Sequence, residues 1–255
     1  DLSSAGSNMG MTASSTRAVF MGGLSRYRTM DYVEMASASN AVDFGDISDT
    51  SSDYQLTAAG SQTRGVVVGL QDTNSPTDRM DYLTIASIGD STDFGNLTVS
   101  RGSIGTAGSS TRMLMNGGRN VGTYYNVIDY ITIASTGNAT DFGDSTDSRQ
   151  GIGAVSSTTR AVFAGGFDNV SKNLIEYVTI NSTGNATDFG DLTSSRYYVG
   201  GMSNKTRGVF AGNSSADNTM DYVTIATTGN AVDFGDQKAS LARQYDGTSN
   251  AHGGL

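Results

Sequence analysis

The sequence predicts an all-β fold: a five-bladed β-propeller, four antiparallel strands to the blade, in repeats of about 48 residues. Three observations predict it. One phrase recurs five times, as TRAVFMGG from Thr16, TRGVVVGL from Thr63, TRMLMNGG from Thr111, TRAVFAGG from Thr159 and TRGVFAGN from Thr206. Its arginines (Arg17, Arg64, Arg112, Arg160 and Arg207) follow one another at 47 or 48 residues, and Asp-Phe-Gly recurs from Asp43, Asp93, Asp141, Asp188 and Asp233 at 45 to 50. Within each repeat, short apolar runs alternate with period two between Gly, Ser, Thr and Asn clusters, and helical spacing over ten residues is missing. Finally, each copy holds four such runs, the content of one blade.

The fourth copy shows the elements in order. Gly151 to Val155 is small and alternating and ends in the polar turn Ser156-Ser157-Thr158, so it reads as a first strand. Thr159 to Ala164 is a second strand, closed by Gly165-Gly166, where glycines suit a positive φ or a close backbone approach. After the polar loop Asp168 to Asn173, Glu176 to Ile180 alternates as a third strand. Ser182-Thr183-Gly184-Asn185 is turn chemistry, and Thr187 to Gly190 is a short fourth strand with an aromatic anchor. The blades are expected at about 7–47, 54–97, 102–145, 150–192 and 197–237, in a single domain over 1–255. A lone blade cannot bury both faces, so neighbours must cover each other.

The remainder, 238–255, contains Arg243-Gln244-Tyr245, which resembles Arg196-Tyr197-Tyr198. It is expected to close the ring beside blade one, since closure removes an exposed edge; the alternative is continuation into a further copy. Asp1-Leu2-Ser3-Ser4 aligns with Asp191-Leu192-Thr193-Ser194, so the chain is expected to begin inside a repeat, as a processed product or fragment would.

Composition narrows the function classes. Net charge is −9, spread over every repeat, which disfavours nucleic acid and anionic membrane surfaces as partners. No run of 18 apolar residues exists, so membrane insertion by a helix is not expected. Cysteine is absent and His252 is the only histidine, which removes Ser-His and Cys-His pairs and zinc sites from consideration. The carboxylates recur in every copy, whereas an active site is usually unique; no enzymatic activity is expected, and calcium-dependent glycoside cleavage is the distant alternative.

The repeat resembles the kelch repeat, on Phe163-Ala164-Gly165-Gly166, Tyr177, Phe189 and the linker Arg196. It departs where Phe replaces a Trp after the turn, where the linker lacks Pro, and where the glycine pair becomes Gly69-Leu70 and Gly212-Asn213. The repeats also look like propeller repeats of marine phage structural and tail-fibre-associated proteins. That likeness implies an extracellular or virion-associated place, and a role in adhesion, receptor binding or carbohydrate binding.

Candidate site residues fall into three sets. The divergent loops after the glycine pair are free to meet partners. They supply Tyr27, Arg28, Arg119, Tyr124, Tyr125, Phe167, Asp168 and Asp217 as candidate ligand-binding residues, suited to a glycan or surface receptor. The strand arginines Arg17, Arg64, Arg112, Arg160 and Arg207 are expected to form structural ion pairs with Asp31, Asp81, Asp129, Glu176 and Asp221. The linker arginines Arg101, Arg149, Arg196 and Arg243 are expected to be structural, with Asp53 breaking the pattern. Oxygen sets such as Asn138, Asp141 and Asp144 would suit calcium, but Asx-turns that anchor strand ends explain them better, so no metal or other cofactor is expected. Divergent loops on one face favour a non-catalytic binding module. The second reading is a structural propeller that decorates or spaces a virion or an extracellular fibre and binds only neighbouring subunits.

Overall fold

The computed structural model describes residues 1–3, 9–23, 28–48, 56–72, 75–212 and 218–238. It contains five antiparallel four-stranded sheets, the blades of a β-propeller, and no helix among the described residues. Blade one comprises Gly10–Ala13, Arg17–Met21, Thr29–Glu34 and Val42–Asp46. Blade two has Thr57–Gly60, Arg64–Val68, Arg79–Thr84 and Thr92–Asn96, and blade three Gly105–Gly108, Arg112–Asn116, Val127–Thr132 and Thr140–Asp144. Blade four has Gly153–Ser156, Arg160–Ala164, Leu174–Thr179 and Thr187–Asp191, and blade five Gly200–Ser203, Arg207–Ala211, Thr219–Thr224 and Val232–Asp236. Strands pair in chain order within every blade. Each expected strand of copy four is found, with its ends displaced by two residues or fewer.

The core lies between blades rather than within them. Four apolar clusters fill the four junctions, each drawing on two consecutive blades. In the second strand of blade four, Ala161 and Phe163 join the cluster shared with blade three, whereas Val162 and Ala164 join the one shared with blade five. Period-two alternation therefore points apolar residues both ways, as a sheet buried on both faces requires. We call the side toward the preceding blade the leading face and the other the trailing face.

Asp-Phe-Gly is a β-bulge. In blade four, Asp188 pairs with Glu176 and Gly190 with Ile175, which leaves Phe189 as the extra residue. The same shift recurs in the other four blades. Phe189 turns into the junction with blade five. Gly190 then takes φ +145°, and the backbone of blade five's turn closes on it: the Gly229 amide donates to the Phe189 carbonyl at 2.7 Å. Two more bonds complete the clip. The Ala231 amide donates to the Asp191 carbonyl at 2.8 Å, and the Asp191 amide donates to Asn230 Oδ1 at 3.1 Å. Asp90, Asn138 and Asn185 bind the preceding blade in the same way. These residues thus anchor a strand end, but in the neighbouring blade. Within one oxygen set the work is divided: Asn138 serves Asn96 of blade two, while Asp141 accepts from its own Gly143.

The expected ion pairs between the strand arginines and the acids beside tyrosine do not form. Register explains the correction: Arg17 lies opposite Glu34 and Asp31 opposite Phe20, and Arg160 lies opposite Thr179 while Glu176 lies opposite Phe163. Arg17, Arg64, Arg112, Arg160 and Arg207 instead stack on Tyr32, Tyr82, Tyr130, Tyr177 and Tyr222 at 4.1 to 4.4 Å. Each tyrosine meets its blade's phenylalanine edge-on at about 6 Å, so every blade carries an Arg–Tyr–Phe stack. Arg17, Arg64, Arg112 and Arg160 also reach the next blade, donating to the carbonyls of Ile85, Ile133, Ile180 and Ile225. Arg160→Ala should cost about 1–2 kcal/mol in chemical denaturation, and Arg160→Lys should recover little of it, because the planar stack and the carbonyl bond need a guanidinium.

The acids point to the leading face and hold the linker that arrives from the preceding blade. Asp129 accepts from the Thr98 amide and hydroxyl, Glu176 from those of Thr146, and Asp221 from those of Thr193. The linker arginine then closes on the same acid: Arg101 on Asp129 at 2.9 Å, Arg149 on Glu176 at 2.6 Å and Arg196 on Asp221, all fully buried. Burial pushes the Arg101 guanidinium below its ordinary pKa, and Asp129 opposes that shift. Arg243 and Asp53 lie outside the described residues, as do Tyr27, Asp217 and, beyond Lys238, the 238–255 segment expected to close the ring. At blade two, where the linker carries Asp53, Asp81 takes Arg79 of its own strand at 2.8 Å. Thr29, Val127, Leu174 and Thr219 stand at that strand position in the other copies.

Candidate ligand-binding face

The second-to-third strand loops and the inter-blade linkers emerge at the same end of antiparallel blades. Short bridges join them: Gly102 with Arg119, and Gln150 with Phe167. The glycine pair makes the join possible. Gly165 and Gly166 have φ +68° and +119°. A Cβ on Gly166 would meet Arg149 Cδ at 2.7 Å, and one on Gly165 would meet the Arg196 carbonyl at 2.5 Å. The pair therefore leaves room for one linker arginine beside it and for the backbone of the next linker. Copy two, which lacks the arginine, carries buried Leu70 in place of the second glycine.

This join sets aromatic side chains from three blades side by side. Tyr124 of blade three meets Phe167 of blade four edge-on at 6.3 Å. Phe167 lies 4.6 Å from Tyr197 of the linker into blade five, and Tyr197 lies 5.0 Å from Tyr198. All four rings are partly exposed. Tyr198 holds a positive φ of 57°, an uncommon conformation for an aromatic residue, and its ring covers Gly151. Polar groups border the row. The Arg119 guanidinium lies 5.6 Å from the Tyr124 ring, and the Tyr124 hydroxyl donates to Asn169 Oδ1 at 3.4 Å. Lys172 Nζ sits 2.9 Å from both Asp168 and Asp147. Hydrogen bonds to Asp168 and then Asp147 raise its pKa, so the ammonium stays charged to higher pH than an ordinary lysine. Val121 and Val170 stand exposed at the loop tips on this face.

Of the residues expected to bind a ligand, Arg119, Tyr124, Phe167 and Asp168 converge here. Arg28 does not: its Nε donates to the Ile47 carbonyl in blade one. Tyr125 supports the linker instead, its carbonyl accepting the Arg149 amide at 3.1 Å. Sequence reasoning missed Tyr197, Tyr198, Asn169, Lys172 and Asp147 as members of the site. Four-stranded connectivity could have found them, since it returns linkers to the same end as the second-to-third loops.

Fold and face together define this chain as a five-bladed β-propeller with an aromatic row on its loop face. No protein-family model and no curated protein matches its sequence.

Proposed function

We propose that the chain is a non-catalytic recognition module that binds glycans, as part of a surface receptor or free, through the row Tyr124–Phe167–Tyr197–Tyr198. The row is the observation that carries this reading. Sugar rings present apolar C–H faces that lie against aromatic rings, while neighbouring polar groups fix orientation through hydroxyls. Arg119, Asn169, Lys172 and Asp147 stand at the border of the row for that purpose. The buried carboxylates support a non-catalytic role, because Asp129, Glu176 and Asp221 are committed to linker contacts. The kelch-like wording and the likeness to phage propeller repeats support adhesion at a virion or cell surface, and the acidic surface argues against nucleic acid.

The test is a glycan array with calorimetry on any hit. Phe167→Ala and Tyr197→Ala should each weaken binding about tenfold or more with little loss of folded stability, because both rings are partly exposed. An array without hits, or hits indifferent to both substitutions, rejects the reading.

A further inference from the structure

The aromatic row continues past Tyr124 with a charge in place of a ring. Arg119 follows Gly117-Gly118 as Phe167 follows Gly165-Gly166. Each is fixed by two backbone bonds to the linker that enters its blade. The Arg119 amide donates to the Gly102 carbonyl at 2.9 Å, and the Gly102 amide donates back to the Arg119 carbonyl at 3.0 Å. Phe167 and Gln150 exchange the same two bonds. Copy three therefore sets a guanidinium where copy four sets a ring. Gly102 brings no side chain against Arg119, whereas Phe167 has Gln150 as its bridge partner. In the short hairpin of Arg119–Asn120 and Thr123–Tyr124, Arg119 lies opposite Tyr124, and its guanidinium carbon is 5.6 Å from that ring. Such a contact steadies the guanidinium without using its N–H donors.

The other cations nearby are committed. Lys172 is held by Asp168 and Asp147, and Arg149 and Arg196 are buried against acids. Arg112 and Arg160 donate to carbonyls of the next blade. Arg119 is exposed, and among the described residues no carboxylate or carbonyl is hydrogen-bonded to its guanidinium.

We propose that the row selects glycans bearing an acidic substituent, a carboxylate or a sulfate, and that Arg119 binds this group while the sugar ring lies on Tyr124. The inference rests on the glycan reading above and adds the class of glycan. A guanidinium presents parallel N–H donors that match two oxygens of either group. The surrounding charge sets the orientation. One ammonium against two carboxylates leaves the Lys172 cluster negative beside Phe167, which repels an acidic group and leaves the Arg119 end as its seat. The net charge of −9 is spread over every repeat, and physiological salt screens it beyond about 8 Å, so the nearby guanidinium decides.

The test is a glycan array that pairs uronate, sialylated and sulfated glycans with their neutral parents, with calorimetry on the pairs that bind. Acidic members should bind about tenfold or more tightly than their parents, and added salt should shrink that advantage. Arg119→Gln should remove the advantage while leaving the neutral parents' affinity and the melting temperature nearly unchanged, because the side chain is exposed. Arg119→Lys keeps the charge without the fork and should restore only part of it. A larger advantage for uronates or for sulfated members tells the two acids apart. Equal binding of acidic and neutral members, or an acidic preference that survives Arg119→Gln, overturns the inference; if those hits still need Phe167, the glycan reading stands. An array without hits, or capture of a poly-glutamate peptide in place of any glycan, rejects both.

Discussion

Glu176→Ala should lower the unfolding free energy by about 3–5 kcal/mol, the cost of stranding a buried charge. Glu176 is fully buried at the junction of blades three and four and accepts four hydrogen bonds there from three residues. Arg149 Nη2 lies 2.6 Å from Oε1, the Thr146 amide and hydroxyl reach Oε2, and Asn116 Nδ2 approaches Oε1 at 3.3 Å. Alanine leaves the buried guanidinium without its carboxylate. The loss should show as a shifted denaturation midpoint, and Arg149→Met in the same chain should recover much of it by removing the stranded charge. A double variant no more stable than Glu176→Ala alone would mean that the linker bonds of Thr146, rather than the ion pair, hold the junction.

Gly190→Ala should cost about 3–5 kcal/mol, from a strained backbone together with a collision that no rotamer relieves. The φ of +145° disfavours any side chain, and an added Cβ would stand 2.5 Å from the Gly229 carbonyl group. Blade five supplies an internal control. Gly235 holds φ +130° at the equivalent position with open space around it, so Gly235→Ala should cost only the strain, about 1–3 kcal/mol. The difference between the two denaturation curves isolates what the turn of the next blade contributes. Equal losses would show that the clip adds nothing to conformation alone.

The blades were legible because hydrophobic alternation and turn chemistry are local properties written five times over. Thr159 to Ala164 announces a strand by its β-branched and aromatic residues and Glu176 to Ile180 by period two, and Gly165-Gly166 announces a positive φ or a close backbone approach. The bulge at Phe189 was not legible. Asp-Phe-Gly reads as an ordinary short strand until pairing shows that one residue is extra. Charge partners failed for a related reason. Arg160 and Glu176 stand at fixed offsets in every copy, but antiparallel register puts them three pairs apart on the sheet. Glu176 then finds Arg149 across a blade boundary, at a position that had already been marked as structural.

The candidate face was half legible. Loop divergence singled out Arg119, Tyr124, Phe167 and Asp168, and these do meet. Tyr197 and Tyr198 were read only as part of a linker, although four-stranded connectivity returns each linker to the end of the blades that carries the second-to-third loops.

Taken alone, the sequence determined the number of blades, the strands in each and the absence of cysteine, since repetition and composition need no partner to be read. Tertiary structure alone decided which arginine meets which acid and which rings share a row. Those outcomes depend on how one blade is rotated and shifted against the next, and that geometry arises only when the blades pack.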